Sequence, residues 1–478
     1  MHKLVGIGLD PYIVAWLQSF LTDRYCRLEI GDATIEVWPE CGLPQGSPLS
    51  CTLFIIYIDD LLWTLHRIRQ LRSQGFADDM SLWASTESRS GETIPCVREG
   101  LRVVEEWSQR WRIRFCPEKC MCICFRGTTI RVRKEFVGHL YGEAIPHVRY
   151  ARYLGVWFDE HLTWRHHLAE VSHRARARLW ELRRTISSDW GLCPSLFMRI
   201  VRGAILPGLF FGPPIWASIL RYSTRLGELD GILALAARMA FSLERFTSTE
   251  ASLALVGLMP ARQHILRSLA RYMLRRHRAQ LVEGDLSLTP HRSYVTPFEL
   301  VRAWFQHQVR GKTLNSTLPR HRRQIRNSIE TTLLEEWSRR WHTADTRRQL
   351  FDVRYRVGQE WHPADAEVAR REDLTWVARF LTGHYHFGSW APQRALDSYQ
   401  PCPLCSEEFT REHLVMECGP LESMRRGIFS GILDWEKVDL IRLARFHSSP
   451  LGRFLRGASE IVAEVVESRL EVGDEVVA

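Results

Sequence analysis

Two adjacent aspartates, Asp78 and Asp79, follow the apolar pair Phe76-Ala77 and precede a second apolar run over 80–84. Gly75 stands just before them, so the pattern predicts a strand, a tight turn that carries the acids, and a second strand. Burying two ionised carboxylates side by side is costly unless a cation or a basic partner offsets their charge. Hard divalent cations such as Mg²⁺ take oxygen ligands of this kind. The stretch therefore predicts a Mg²⁺ site, with a solvated turn as the alternative.

A second motif lies upstream, where Gly42-Leu43-Pro44-Gln45-Gly46-Ser47-Pro48-Leu49-Ser50 precedes an apolar run over 53–62. In this order, the two motifs resemble the reverse transcriptases of non-LTR (LINE-type) retrotransposons, whose palm carries G-x-P-Q-G-S-x-L-S before a F/Y-A-D-D turn. The resemblance implies that Asp78 and Asp79 hold catalytic Mg²⁺ and that Gln45 and Gly46 contact the incoming nucleotide. Gly46 has a physical rationale too, because a residue without Cβ lets backbone approach a base or sugar closely. The alternative is that these glycines only shape a connection.

The chain holds another acidic pair, in Tyr57-Ile58-Asp59-Asp60, which matches the Tyr-x-Asp-Asp string that other reverse transcriptases use for catalysis. Ser47 can cap a helix and Pro48 suits its first position. Apolar residues then recur every four positions, at Leu49, Leu53, Tyr57 and Leu61. This spacing predicts that Asp59 and Asp60 lie late in a helix. Asp78 and Asp79 are therefore the predicted metal ligands.

Charge and composition favour a polyanionic partner. Lysine and arginine number 64 against 55 aspartates and glutamates, which gives a formal charge of +9 and a pI of about 9.0. The 12 cysteines form no dense framework, which indicates reduced thiols in the nucleus or cytosol. The longest uncharged run, 203–220, contains three prolines and predicts a buried helix, turn and helix. No membrane partner is expected.

The rest of the first third of the chain contains both helical and strand-like spacing of apolar residues. Residues 1–25 have the apolar face of a helix, and alternation over 27–38 predicts a hairpin. Helical spacing returns over 100–114, and 121–125 is predicted as a strand. Residues 149–159 close this region and resemble the family's primer-grip strand.

Lys119 lies in Phe115-Cys116-Pro117-Glu118-Lys119, which resembles the family segment whose lysine sits near the triphosphate. It is the candidate for contacting phosphate or protonating the leaving group, with an ordinary surface lysine as the alternative. Cys120, Cys122 and Cys124 alternate as small buried residues on one strand face would, so they are not predicted to bind metal.

Residues 163–186 predict a helix with an apolar stripe and a basic face. The basic side chains are Arg165, Arg174, Arg176, Arg178, Arg183 and Arg184. A thumb helix that follows the phosphates of a template-primer duplex would have this pattern, since each released counterion adds affinity without sequence preference. An ordinary solvated face is the alternative. Helices are predicted to continue over 192–277, followed by a linker over 284–297 and basic helices over 301–356 around Trp304, Trp337 and Trp341.

Cys402, Cys405, His413 and Cys418 make C-x2-C-x7-H-x4-C. Three thiolates and an imidazole match the closed tetrahedral set of a structural Zn²⁺ site. On a regular helix from about Thr410, Cys418 would point about 140° away from His413. The helix must therefore loosen before Cys418. A similar C-terminal knuckle occurs in non-LTR elements, so the resemblance spans nearly the whole chain; accidental clustering of thiols is the alternative. His384 and His386 are expected to be structural.

The predicted fold class is α+β: a partial right-hand polymerase palm (1–160), an α-helical thumb and post-thumb (161–283), a basic helical connector (284–396), a zinc knuckle (397–425) and a helical tail (426–478). The family has one more catalytic aspartate, in a strand before the first helix here, and a fingers segment. Neither is expected in this chain. The expectation is thus a truncated reverse transcriptase lacking upstream polyprotein domains, inactive by itself.

The partners that the resemblance implies are an RNA template, a DNA primer or target, and the element RNA in a ribonucleoprotein. It also implies a nuclear location with a cytoplasmic assembly phase. The alternative is a non-catalytic nucleic-acid-binding remnant, in which palm, thumb and knuckle survive without polymerase activity.

Overall fold

A computed structural model describes residues 1–39, 41–84, 93–125, 138–283, 319–343, 361, 369–382, 401–432 and 440–474. Predictions for 284–297, Trp304, His384 and His386 lie outside these residues. The chain divides into two compact units. The N-terminal unit is Met1–Tyr153 with Trp157–Thr163, and the C-terminal unit is Leu154–Val156 with Trp164–Ala478.

The N-terminal unit mixes helices with β-hairpins. Its helices are α1 (His2–Gly6), α2 (Pro11–Leu21), α3 (Pro48–His66) and α4 (Thr93–Trp111). Its strands pair as β1 (Cys26–Ile30) with β2 (Ala33–Val37), β3 (Leu71–Phe76) with β4 (Asp79–Ala84), and β5 (Gly138–Leu140) with β6 (Glu143–Ile145). A further pair, β7 (Tyr150–Tyr153) and β8 (Val156–Asp159), ends the unit. The predicted α+β class is confirmed.

The core of this unit forms where α3 and α4 pack on the β3–β4 hairpin. Ile58, Leu61 and Leu65 lie on one side of α3 in this core, whereas Leu53 packs with Leu4 and Leu17 of α1 and α2. Gly100 lets α4 approach β3 closely, since a Cβ there would lie 2.7 Å from Cδ2 of Leu71. The length and apolarity of α3 would also suit a membrane span. Its buried face belongs to this core instead.

Two predictions for this unit are wrong in detail. Residues 1–25 form two helices, because the Asp10 carboxylate accepts the Tyr12 amide at 2.8 Å and starts α2 afresh at Pro11. Residues 121–125 form no strand; Cys122 makes one isolated bridge with His147. The segment finds no longer partner among the described residues, and apolar alternation alone cannot supply one.

The C-terminal unit is helical. In chain order its helices are α5 (Arg165–Arg183), α6 (Pro194–Ile200), α7 (Leu206–Leu209), α8 (Pro213–Trp216), α9 (Ser223–Ala240), α10 (Thr249–Leu255), α11 (Ala261–Glu283), α12 (Pro319–Thr343), α13 (Arg371–Leu381), α14 (Glu422–Phe429), α15 (Leu440–Phe446) and α16 (Ser448–Asp474). The predicted helix over 163–186 and the helical content of 192–277 are confirmed. Trp337 is fully buried on α12, where Glu330 pairs with Arg267 of α11 at 2.7 Å.

The uncharged run 203–220 forms the bent, buried arrangement predicted for it. A π-helical turn, Val201–Ile205, leads into α7, and α8 passes into a 3₁₀ turn, Ala217–Arg221. The segments before and after the break meet at 48°. Trp216 and Ala217 are fully buried, so the run supplies part of the helical core.

Arg371, at the start of α13, joins separate parts of this unit through backbone oxygens. Its guanidinium donates to the carbonyls of Ser187 (2.6 Å), Ala240 (2.8 Å) and Leu192. Only 7% of the residue is exposed, and burial lowers its pKa to about 10. One buried cation therefore satisfies carbonyls in the loop after α5 and the carbonyl at the end of α9, which lacks an intrahelical partner.

We expect Arg371→Met to lower the free energy of unfolding of the C-terminal unit by about 3 kcal/mol, because the buried Ala240 carbonyl and two half-buried carbonyls lose a charged donor. Urea denaturation followed by circular dichroism measures this. The control is Arg370→Met at the adjacent exposed residue, which should change the free energy by less than about 0.5 kcal/mol. Equal stability of the two variants would contradict the assignment.

Candidate functional site

Asp78 and Asp79 lie at the tip of the β3–β4 hairpin, as the sequence predicts. Phe76 pairs with Asp79, so Ala77 and Asp78 form a two-residue turn in which Ala77 has φ +50°. Both aspartates are exposed. In the described part of the chain, neither carboxylate has a hydrogen-bond or ion-pair partner, so both are free to bind a cation.

An apolar pocket lies directly beneath this turn. Its floor is formed by side chains from α3, α4 and the segment after α4. The lining residues are Phe54, Ile58, Leu61, Ala77, Asp78, Asp79, Met80, Trp107, Ile113 and Phe115. Side chains of the hairpin such as Met80 pack against α3 and α4 there, which supports the turn that carries the carboxylates.

The Asp59-Asp60 pair lies on α3, as predicted, and has a different environment. The Asp60 carboxylate accepts from Lys3 Nζ at 2.6 Å and from Trp107 Nε1 at 2.8 Å. Lys3 Nζ also lies 3.8 Å from the Trp111 ring centroid, a cation–π contact. Asp60 is therefore committed to a structural ion pair that fixes α1 to α3. Asp59 is exposed on the helix surface.

Gln45 and Gly46 form an exposed turn just before α3. Gly46 has φ +89°, a backbone conformation that favours glycine, and a Cβ built there would meet no atom within 4 Å. The turn ends at Ser47, the N-cap position of α3, although the Ser47 side chain makes no capping bond. The backbone of this turn is accessible to a ligand.

Lys119 is exposed at the end of a 3₁₀ turn, Pro117–Lys119, four residues after the pocket residue Phe115. Its amide donates to the Cys116 carbonyl at 3.1 Å. Residues 115–119 join Lys119 to the pocket beneath the hairpin.

We expect Asp60→Ala to lower the free energy of unfolding of the N-terminal unit by about 1 kcal/mol, because Lys3 and Trp107 lose their acceptor. Thermal unfolding monitored by tryptophan fluorescence detects the change. Asp59→Ala is the matched control, since it makes the same substitution on the same helix. If Asp59→Ala destabilised the unit as much, the ion pair would not be the cause.

The exposed face of α5 is basic and carries an aromatic side chain. Four of the six arginines predicted to form it are exposed, at positions 165, 176, 178 and 184. Arg174 and Arg183 are half-buried, and Arg183 donates to the Ile186 carbonyl. The residues of one stripe, which spans about 100° of a regular helix, are Arg165, Ala169, His173, Arg176, Trp180 and Arg184.

Trp180 also lies in this stripe, and the sequence analysis, which considered only the basic side chains, did not identify it. It is 58% exposed and lies one turn from both Arg176 and Arg184. Neither arginine forms an ion pair with the described residues. Its spacing of four from each arginine was the signal in the sequence that could have revealed it.

Cys402, Cys405, His413 and Cys418 come together, as predicted. Their ligand atoms all lie within 4.8 Å of one another. Sγ of Cys402 and Sγ of Cys418 are 3.9 Å apart, and Cys405 Sγ is 3.1 Å from His413 Nε2. A tetrahedral Zn²⁺ with Zn–S bonds of about 2.3 Å requires sulfur atoms about 3.8 Å apart, so the donor set fits zinc.

The loosening predicted between His413 and Cys418 is a π-helical turn, His413–Glu417. The Cys418 amide donates to the His413 carbonyl, five residues back, at 2.7 Å. This wider turn brings residues five apart to the same side, which a regular α-helix cannot do. Burial and the neighbouring Cys402 raise the pKa of Cys418 to about 12. A bound cation would favour the thiolate.

Comparison with known families agrees with the hairpin geometry. Residues 1–158 match the family model described as reverse transcriptase (RNA-dependent DNA polymerase). This part of the chain, which carries Gln45, Gly46, Asp78, Asp79 and Lys119, is a reverse transcriptase domain.

The relatives extend the similarity beyond this domain. A Pol polyprotein from type-1 retrotransposable element R1 2 of Nasonia vitripennis is 23% identical over 394 residues, covering 80% of this chain and 86% of the relative. One from element R1 of the same species is 24% identical, covering 76% and 98%. The RNA-directed DNA polymerase of mobile element jockey from Drosophila melanogaster is 24% identical, covering 43% and 23%. The chain is thus similar over most of its length to Pol polyproteins of type-1 retrotransposable elements, and its first third matches the reverse transcriptase family. No solved structure matches it.

Proposed function

We propose that Asp78 and Asp79 hold the catalytic Mg²⁺ with which this chain takes part in RNA-templated DNA synthesis. The observation that carries the proposal is the hairpin tip, where two adjacent carboxylates are exposed and unpaired among the described residues while supported by an apolar floor. Bound Mg²⁺ supplies charge neutralisation and alignment for phosphoryl transfer. Asp60 of the competing pair is already paired with Lys3 and Trp107, which supports Asp78 and Asp79 as the ligands.

In this proposal the turn at Gln45 and Gly46 contacts the nucleotide through accessible backbone. Lys119 contacts its phosphates or protonates the leaving group. The N-terminal unit then supplies a partial palm, and α5 with its following helices supplies the thumb. The partners are an RNA template and a DNA primer, and the element RNA in a ribonucleoprotein assembled in the cytoplasm and used in the nucleus.

The exposed stripe of α5 is the proposed contact for the nucleic-acid backbone. Arg176 and Arg184 stand one turn to either side of Trp180, and no described carboxylate neutralises them. Guanidinium groups bind phosphate by paired hydrogen bonds, and an exposed indole between them can pack on a sugar or an unpaired base. The stripe also favours the second candidate function, nucleic-acid binding without catalysis.

The substitution of both Asp78 and Asp79 by Asn should remove divalent-cation binding at the hairpin. Replacing Mg²⁺ by Fe²⁺ and adding peroxide cleaves backbone near a bound metal. We expect cleavage near residues 76–80 in the unaltered chain and none in the double variant. Asp59→Asn, the same change on α3, should leave cleavage intact.

Primer extension on an RNA template separates the two candidate functions. Any extension by the unaltered chain should fall at least about 100-fold in the double variant and persist in Asp59→Asn. Binding without extension in all three proteins would favour the non-catalytic function. Extension that survives loss of both carboxylates would overturn the assignment of the metal ligands.

Nucleic-acid binding should weaken with salt, and Arg176→Gln should make the slope of log K against log salt shallower by about 1. Trp180→Ala should weaken binding while leaving the slope unchanged, because stacking releases no counterions. Filter binding of an RNA–DNA hybrid across a salt series measures both. The control is Arg453→Gln, an exposed arginine on α16. A slope that is unchanged in Arg176→Gln, or equally changed in the control, would contradict the stripe as the contact.

We propose further that Cys402, Cys405, His413 and Cys418 bind a structural Zn²⁺. The support is the 3.9 Å separation of two buried thiols and the π-helical turn that brings Cys418 to His413. The Nδ1 atom of His413 lies 3.9 Å from the Glu417 carboxylate, in position to orient the ring.

We expect the chain to retain one Zn²⁺, and Cys405→Ser to lose most of it. Mass spectrometry of metal content gives the stoichiometry, and Co²⁺ substitution gives the absorption bands of a tetrahedral thiolate site. Cys193→Ser, at an exposed cysteine outside the cluster, should behave as the unaltered chain. Equal metal content in both variants would exclude the site.

A further inference from the structure

Arg425 lies on α14, beyond the four ligands, with only 1% of its residue surface exposed. Its Nε donates to the Val415 carbonyl and its Nη2 to the Cys418 carbonyl, both at 2.7 Å. Its Nη1 donates to the Glu422 carboxylate. The guanidinium therefore spans the segment that ends at the fourth ligand.

One of the two carbonyls lies within the π-helical turn, His413–Glu417, and the other lies just beyond it. Val415 and Cys418 are fully buried, so water cannot satisfy their backbone oxygens. The turn ends at Glu417, and a 3₁₀ turn, Gly419–Leu421, follows at once. The Cys418 carbonyl also accepts from the Leu421 amide at 3.2 Å, so Arg425 adds a charged donor where one helical pattern gives way to the other.

We propose that Arg425 is a positioning residue for the metal centre: its fork fixes the peptide planes at 415 and 418 and so directs the Cys418 thiolate toward the other three ligands. This inference rests on the proposed Zn²⁺ site. Three thiolates, one neutral imidazole and Zn²⁺ carry a net charge of −1, so a buried cation one peptide away also favours the charged site electrostatically. Arginine suits both tasks because its planar fork reaches two acceptors at once.

The adjacent Arg426 provides a matched control. It is exposed, lies on the same helix and pairs with the same Glu422 carboxylate at 2.5 Å. The Arg425→Lys variant keeps the charge but cannot reach both carbonyls, whereas Arg426→Lys makes the same change at a residue that contacts Glu422 and neither carbonyl. Comparing the two separates fork geometry from charge.

The test measures Zn²⁺ affinity of the full chain by competition with a chromophoric chelator. We expect Arg425→Lys to weaken affinity by about 10- to 100-fold, the range seen when a residue supporting a ligand is changed. Its Co²⁺ form should show altered tetrahedral bands, while Arg426→Lys matches the unaltered chain in both measurements. Unchanged affinity and unchanged bands in Arg425→Lys would overturn the inference, even if thermal stability fell.

Failure of the Zn²⁺ site itself is recognised separately, because the unaltered chain would then bind no metal. Should Arg425→Lys not fold, Glu422→Gln tests the same geometry, since it leaves Arg425 in place but removes one acceptor that holds it. Zn²⁺ exchange should then be several-fold faster than in Arg426→Lys. Equal exchange in these two proteins would overturn the inference.

Discussion

Backbone carbonyls that are buried where helices end must find donors, and the C-terminal unit meets this requirement with buried arginines. Arg371 satisfies three such carbonyls, at the loop after α5 and at the end of α9. Arg425 does the same for two carbonyls at the π-helical turn. A guanidinium has enough donors to join segments far apart in sequence, and each costs desolvation that only several hydrogen bonds offset. The unit therefore depends on a few polar residues as much as on its apolar core.

The two Asp-Asp pairs illustrate how neighbouring residues decide the fate of the same dipeptide. One follows a turn between alternating apolar residues and becomes the exposed tip of a hairpin. The other continues a four-residue apolar repeat and lies on a helix, where Asp60 meets Lys3. The spacing of apolar residues around each pair is visible in the sequence, so the hairpin position of one pair and the helical position of the other could be predicted. The Lys3 partner could not, because it comes from 57 residues away.

The same difference between local patterns and partners distant in sequence explains which other features could be predicted. The β1–β2 hairpin, α3, α5 and the four-ligand cluster follow from short-range patterns or from chemistry that requires convergence. Residues 121–125 have the alternation of a strand, yet strand formation depends on a partner that the pattern does not name. Arg425 was invisible for a related reason, since its acceptors are backbone oxygens and carry no sequence signal. The loosened turn before Cys418 was predictable because a regular helix fails on geometry alone.

The segment that carries the four ligands and the loop after α5 both contact helix α13. Arg411, next to the ligand turn, lies with its guanidinium 5.9 Å from the Phe380 ring of α13. The same helix begins with Arg371, which holds the carbonyl of Ser187 just after α5. Gly452 lets α16 pack closely on α13, since a Cβ there would lie 2.5 Å from Asp373 backbone atoms. Helix α13 thus contacts the segment that carries the four ligands near its C-terminal end and the loop after α5 at its N-terminal end.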